Sequence, residues 1–159
     1  MISEIIEKLL IRDLQKLRQE ISLYKNESVI WATDKAISNS AGNLCLHLVG
    51  NLNTYIGAIL GSTGYTRNRE QEFSLKNIPR NELLQKIDDT VDIIEKTFAH
   101  ISDEQLTEDY PVLVWEQKTN TAYLLFHLVT HLGYHLGQVN YHRRLLDNSL
   151  NRFGESGEA

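Results

Sequence analysis

Apolar residues recur at three- and four-residue intervals in four long stretches of this chain, and no run of alternating β-branched residues reaches strand length. The first stretch, about 3 to 24, places Ile5, Ile6, Leu9, Leu10, Leu14, Leu17 and Ile21 on one face and fills the other with acids and bases. The second, from Ser40 to about Leu60, sets Leu44, Leu48, Leu52, Tyr55, Ile56 and Ile59 on one arc and ends at Gly61. After Pro79 the pattern returns with Leu83, Leu84, Ile87, Val91, Ile94 and Phe98. The fourth stretch runs from about Asn120 to Asn148. The prolines, Pro79 and Pro111, both fall between stretches, as helix-breaking residues should. The expectation is an all-α protein, a four-helix bundle.

The links between these helices are roughly 15, 19 and 17 residues, against about 2 to 8 in a simple up-and-down bundle. Long crossovers follow. A link of roughly 19 residues spans about 60 Å when extended, enough for the second and third helices to run parallel. Residues 1 to 150 read as a single domain, and 151 to 159, with two glycines and no periodicity, as a flexible tail.

Charge divides the helices into two kinds. Between Ala36 and Thr66 there is no Asp, Glu, Lys or Arg, where about seven would be expected at the chain's 23%. The second helix instead carries Asn43, His47, Asn51 and Thr54 as an uncharged polar stripe. From Thr119 to His142 the fourth is equally free of Lys, Arg, Asp and Glu, with His127, His131, Tyr134, His135, Gln138 and His142 opposite Leu125, Val129, Leu132 and Leu136. The economical packing joins these two helices at a shared pocket and leaves the charged first and third facing water. Gly50, Gly57, Gly133 and Gly137 permit close approach of backbones, within the bundle or across a homodimer interface.

Whole-chain composition narrows the function classes. A chain of 159 residues buries a core without a structural metal or disulfides, so a metal here would be functional. Net charge of -5 and only short basic clusters exclude nucleic acid and anionic membranes as main partners. The lone Cys45 rules out an intramolecular disulfide and falls on the core side of its helix, where it is inert. Acids interrupt the first apolar residues too soon for a signal peptide, which points to the cytoplasm. The second helix is uncharged enough to suggest a membrane span, but Asn43, His47, Asn51, Asn53 and Thr54 make it a poor one.

The candidate chemistry lies in His127-x3-His131-x3-His135. Imidazoles four residues apart on a helix are close enough to share a metal ion. All three are not: His127 and His135 stand about 12 Å apart along the axis, while each ligand nitrogen must lie about 2 Å from the ion. One adjacent pair must serve, with a third ligand from elsewhere, and His47 is the best supplier. The remaining histidines, His100 and His142, read as an ordinary surface or core residue. No c-type attachment motif supports haem.

The segments Ser40-Ala41-Gly42-Asn43-Leu44-Cys45-Leu46-His47-Leu48 and His131-Leu132-Gly133-Tyr134-His135-Leu136-Gly137-Gln138 resemble the DinB-like (YfiT-like) superfamily. The resemblance implies an up-down-down-up bundle that holds nickel or zinc through His47, His131 and His135, with His127 lining the pocket one turn away. The chain departs from the pattern at Tyr134, where many relatives carry a second histidine. Arg67 to Phe73 also resembles a crossover segment of one branch, in which Arg67 or Arg69 would contact an anionic group.

Three imidazoles leave a divalent ion an open position, an arrangement suited to catalysis by the metal and its bound water. The resemblance implies either a hydrolase or a transferase that uses a low-molecular-weight thiol, acting on a small-molecule substrate. A hydrolase calls for a carboxylate base, and neither uncharged helix supplies one, which favours thiol transfer. Tyr134 and Gln138 would position a substrate, and Asn43 and Asn51 would hydrogen-bond it or the ligands. The alternative is a noncatalytic, dimeric metal-binding or stress-related bundle.

Overall fold

A computed structural model describes residues 1–147. Four long helices form the bundle: α1 (Ile2–Ser22), α2 (Ala41–Leu52), α4 (Arg80–Phe98) and α5 (Thr121–His142), with a short α3 (Arg69–Ser74) inside the second crossover. Single π-helical turns extend α2 over Asn53–Ala58 and α5 over Arg143–Asp147. The expected tail, 151 to 159, lies outside the described residues, as do the last residues of the expected domain.

Side-chain contacts give the helix directions. Asp103, just beyond α4, accepts from the backbone N–H groups of Ile2 and Ser3 at the start of α1, each at 3.0 Å. Arg80, at the start of α4, donates to the Ser22 and Tyr24 carbonyls at the other end of α1, so α1 and α4 are antiparallel. Asn140 and Arg143 both reach Glu20, at 2.8 and 2.6 Å, which makes α5 parallel to α1. Asn53 of the α2 extension donates to Thr90 in mid-α4 at 3.0 Å, while Gly57 packs on Ile93, so α2 and α4 run the same way. The topology is up-down-down-up, as expected. No helix among the described residues is long and apolar enough to cross a membrane.

The core is the interior seam of all four helices. Ile6, Leu10, Leu14, Leu17 and Ile21 meet Leu48, Leu52 and Ile56, Leu83 and Ile87, and Leu125, Leu128 and Leu132, all essentially inaccessible to solvent. Each such side chain contributes about 1.5–3 kcal/mol of apolar transfer energy. Ile5, expected on the apolar face of α1, is exposed instead. Its neighbour Ile6 occupies the core line, and the buried stripe is narrower than the sequence pattern. Every residue of α2 is buried, because α3 covers the flank that α4 and α5 leave open.

Local sequence fixes the starts of the site helices. Ser40 Oγ caps α2 by accepting from the Asn43 N–H, Asn68 Oδ1 caps α3 through the Gln71 N–H, and Asn120 Oδ1 caps α5 through the Tyr123 N–H. Asn43 then joins α2 to the crossover: its amide nitrogen donates to the carbonyls of Glu72 and Leu75, each at 2.9 Å. Its oxygen takes the Ser40 hydroxyl and the Lys76 ammonium. Such a residue fixes where the crossover lies, and α3 comes to rest beside His47.

Candidate metal centre

α2 and α5 are antiparallel neighbours, and their uncharged polar stripes converge. His47 on α2 and His131 and His135 on α5 form a cluster whose potential ligand atoms all lie within 4.8 Å of one another. The Nε2 atoms of His47 and His131 are 3.3 Å apart. Two nitrogens bound to one tetrahedral ion at about 2.1 Å lie about 3.4 Å apart, so this spacing fits a shared metal. The three rings stand edge to face around that point: His47 against His131 at 5.1 Å and 74°, and His131 against His135 at 4.6 Å and 86°.

The protonation states fit as well. Burial, then the neighbouring His135 and the guanidiniums of Arg67 and Arg69, lower the pKa of His47 to about 4. His131 is lowered to about 4 by burial first and then by the other histidines of the site and Arg67. Both are therefore neutral at pH 7, the state in which imidazole binds a metal.

Contacts behind the rings orient two of the three. His135 Nδ1 lies 2.7 Å from Gln138 Oε1, an acceptor, so Nδ1 carries the proton and Nε2 presents its lone pair. His47 Nδ1 lies 3.4 Å from Glu72 Oε2, which places a carboxylate on the side of the ring away from the cluster. Glu72 is itself gripped by Arg67, with Nε to Oε1 at 2.7 Å and Nη2 to Oε2 at 3.0 Å. The Arg67 Nη2 group also lies 3.3 Å from His47 Nδ1. His131 is held by ring packing: its Nδ1 is buried with no hydrogen-bond partner among the described residues, and His127 stacks on it at 5.9 Å.

The remaining sequence candidates separate. His127 stands outside the cluster, one turn along α5, with its ring edge-on to Trp115 at 4.9 Å. Asn51 lines the cavity beside the cluster. Asn43 faces the crossover instead and acts on the site through α3. Gln138 is engaged by His135, and Tyr134 packs against His135 at 5.2 Å while largely exposed. Arg67 finds its anion within the chain, in Glu72, whereas Arg69 lies at the cavity with its guanidinium over Phe73. His142 leaves the polar stripe: it is buried, with Nδ1 2.7 Å from the Tyr24 hydroxyl and Nε2 2.8 Å from the Ala32 carbonyl. His100 is exposed, and Cys45 is fully buried, its thiol pushed up to about 12 by desolvation.

Sequence reasoning missed Glu72, the carboxylate nearest the cluster, and Trp115, which closes one side of the cavity. Asn68 followed by Gln71 is a helix-start signal, and it would have marked α3 as structure where a bare loop was expected. For Trp115 the chain offered only an aromatic in a long link.

Comparison with known proteins agrees with the fold and adds no activity. None of the curated proteins matches this sequence. Among solved structures, a conserved protein from Enterococcus faecalis superposes with a TM-score of 0.74 at 14% identity, covering 93% of this chain and 98% of that one. Residues 4–152 match the model of DUF1572, described as a protein of unknown function, and the chain belongs to that family.

Proposed function

We propose that the protein holds a divalent metal through His47, His131 and His135 and uses it to catalyse a reaction of a small molecule, a reading that the DinB-like resemblance supports. The observation that carries the reading is the His47–His131 Nε2 separation of 3.3 Å between a buried and a half-buried ring, both neutral, on different helices. Without an ion, two such nitrogens share at most one proton and the cluster gains little for the desolvation it costs. When bound, the metal supplies a Lewis-acid centre that lowers the pKa of a coordinated water or thiol. Nickel and zinc both suit an all-imidazole site.

Thiol transfer is favoured over hydrolysis. The cluster of possible ligands includes no carboxylate among the described residues, and Glu72 stands behind His47, committed to Arg67. That geometry orients an imidazole and leaves Glu72 badly placed to take a proton from a nucleophile on the cavity side. Tyr123, Phe126, Tyr134, Tyr141 and Leu145 are exposed along α5 and its extension, and a side chain at Gly137 would meet no described residue, which supports a homodimer joined through that helix. A cytoplasmic location remains part of the reading.

The deciding experiment is metal analysis of protein purified without an affinity metal column, followed by turnover assays. The assays pair low-molecular-weight thiols with alkylating and Michael-type electrophiles, alongside an ester panel. Turnover of a thiol pair that is lost in His131→Ala supports the transferase. A tightly bound ion whose removal collapses the melting temperature, with no turnover on any panel, would establish the noncatalytic metal-binding bundle instead.

A further inference from the structure

A cavity of about 400 Å³ opens beside the histidine cluster, within the range of small-ligand sites. Its walls come from four separate parts of the chain: the second crossover gives Arg67 and Arg69, and His47 and His131 of the cluster border it. α2 and its extension give Asn51 and Tyr55, α5 gives Leu124 and Leu128, and the last crossover gives Trp115. No Asp or Glu is among the described lining residues.

One feature of this cavity has no counterpart among the described residues. Arg67 is neutralised by Glu72, but Arg69 forms no ion pair with any described residue. Its contact is the face of Phe73, 5.8 Å from the ring centroid, which holds the guanidinium without neutralising it. Asn51 also lines the cavity and is 92% buried.

We propose that this cavity binds a small organic carboxylate, its anion paired with Arg69 and its apolar body against Trp115, Leu124 and Leu128. One uncompensated cation matches a monoanion, and the planar guanidinium matches a carboxylate in two-point contact. The inference rests on the metal reading only in making this ligand the substrate; the anion site itself uses no metal ligand.

The test is a calorimetric or NMR titration of metal-free and zinc-loaded protein with 3-phenylpropionate and its neutral amide. The acid should bind about tenfold more tightly than the amide in both forms. Arg69→Gln should abolish that preference and Arg69→Lys should retain part of it. Circular dichroism checks that each variant folds. Equal binding of acid and amide, or a preference that survives Arg69→Gln, overturns the proposal. Failure to take up zinc would overturn the metal reading alone, because the acid preference is measured separately in metal-free protein.

Discussion

The carboxylate of Glu72 lies in the space that a side chain on residue 50 would need: a methyl group there would overlap Oε1 and come within 2.9 Å of Cδ. Gly50 thus lets the crossover approach α2 closely enough for Glu72 to reach behind His47. Gly50→Ala should displace α3, costing about 1–3 kcal/mol by denaturant unfolding. Glu72→Gln keeps the shape but removes the charge behind His47. It should weaken zinc about 10- to 100-fold in competition with a chromophoric chelator. Unchanged zinc affinity in Glu72→Gln would reduce Glu72 to an anchor for Arg67.

Alanine at His47, His131 or His135 should each reduce metal content far below one ion per chain. His127→Ala should retain full occupancy, since its ring stacks on His131 outside the cluster. Elemental analysis of the four variants checks this. A metal lost equally from His127→Ala would move the site along α5.

Two buried histidines, His47 and His142, and the half-buried His131 make the metal-free protein acid-sensitive. His47 and His131 titrate at about 4 in the folded protein, and desolvation also lowers His142, against about 6.5 unfolded. The folded state therefore binds fewer protons than the unfolded state in this window. Their stabilising contribution is complete above about pH 6.5 and falls as the pH drops toward 4. Urea midpoints of the metal-free protein should decline across that range, and less steeply in His142→Asn. A flat midpoint from pH 7 to about pH 5 would contradict this.

Asn43→Ala should free the crossover. The change leaves the Glu72 and Leu75 carbonyls without their amide donor and removes an acceptor of Ser40 and Lys76. A loss of about 2 kcal/mol is expected. Hydrogen exchange should rise in residues 69–75 more than in α1 or α4. Uniform exchange across the bundle would show that Asn43 does not act through α3.

Much was legible in the sequence because helical periodicity and charge are local properties. The spacing of Leu83, Ile87 and Ile94 marks α4, and a helix without charge cannot face water along its whole length, so α2 and α5 had to meet. The i,i+4 spacing of His131 and His135 likewise follows from helix geometry alone. What the sequence left open concerns partners distant along the chain. His142 has the same spacing pattern as its neighbours on α5. Only the packing of Tyr24 and Ala32 around it makes it a core hydrogen-bonding residue and no part of the site.

By itself the sequence determined the four helices, their division into charged and uncharged pairs, and a histidine pattern with too many candidates for one ion. The tertiary structure decided which rings share a point in space, that Glu72 and Arg67 stand behind His47, and that Arg69 lies at a cavity with no ion-pair partner among the described residues. The reason is physical: spacing along a helix fixes which side chains share a face, but not which loop folds over that face. Here that choice rests on Asn43 gripping two crossover carbonyls and on the missing side chain at Gly50.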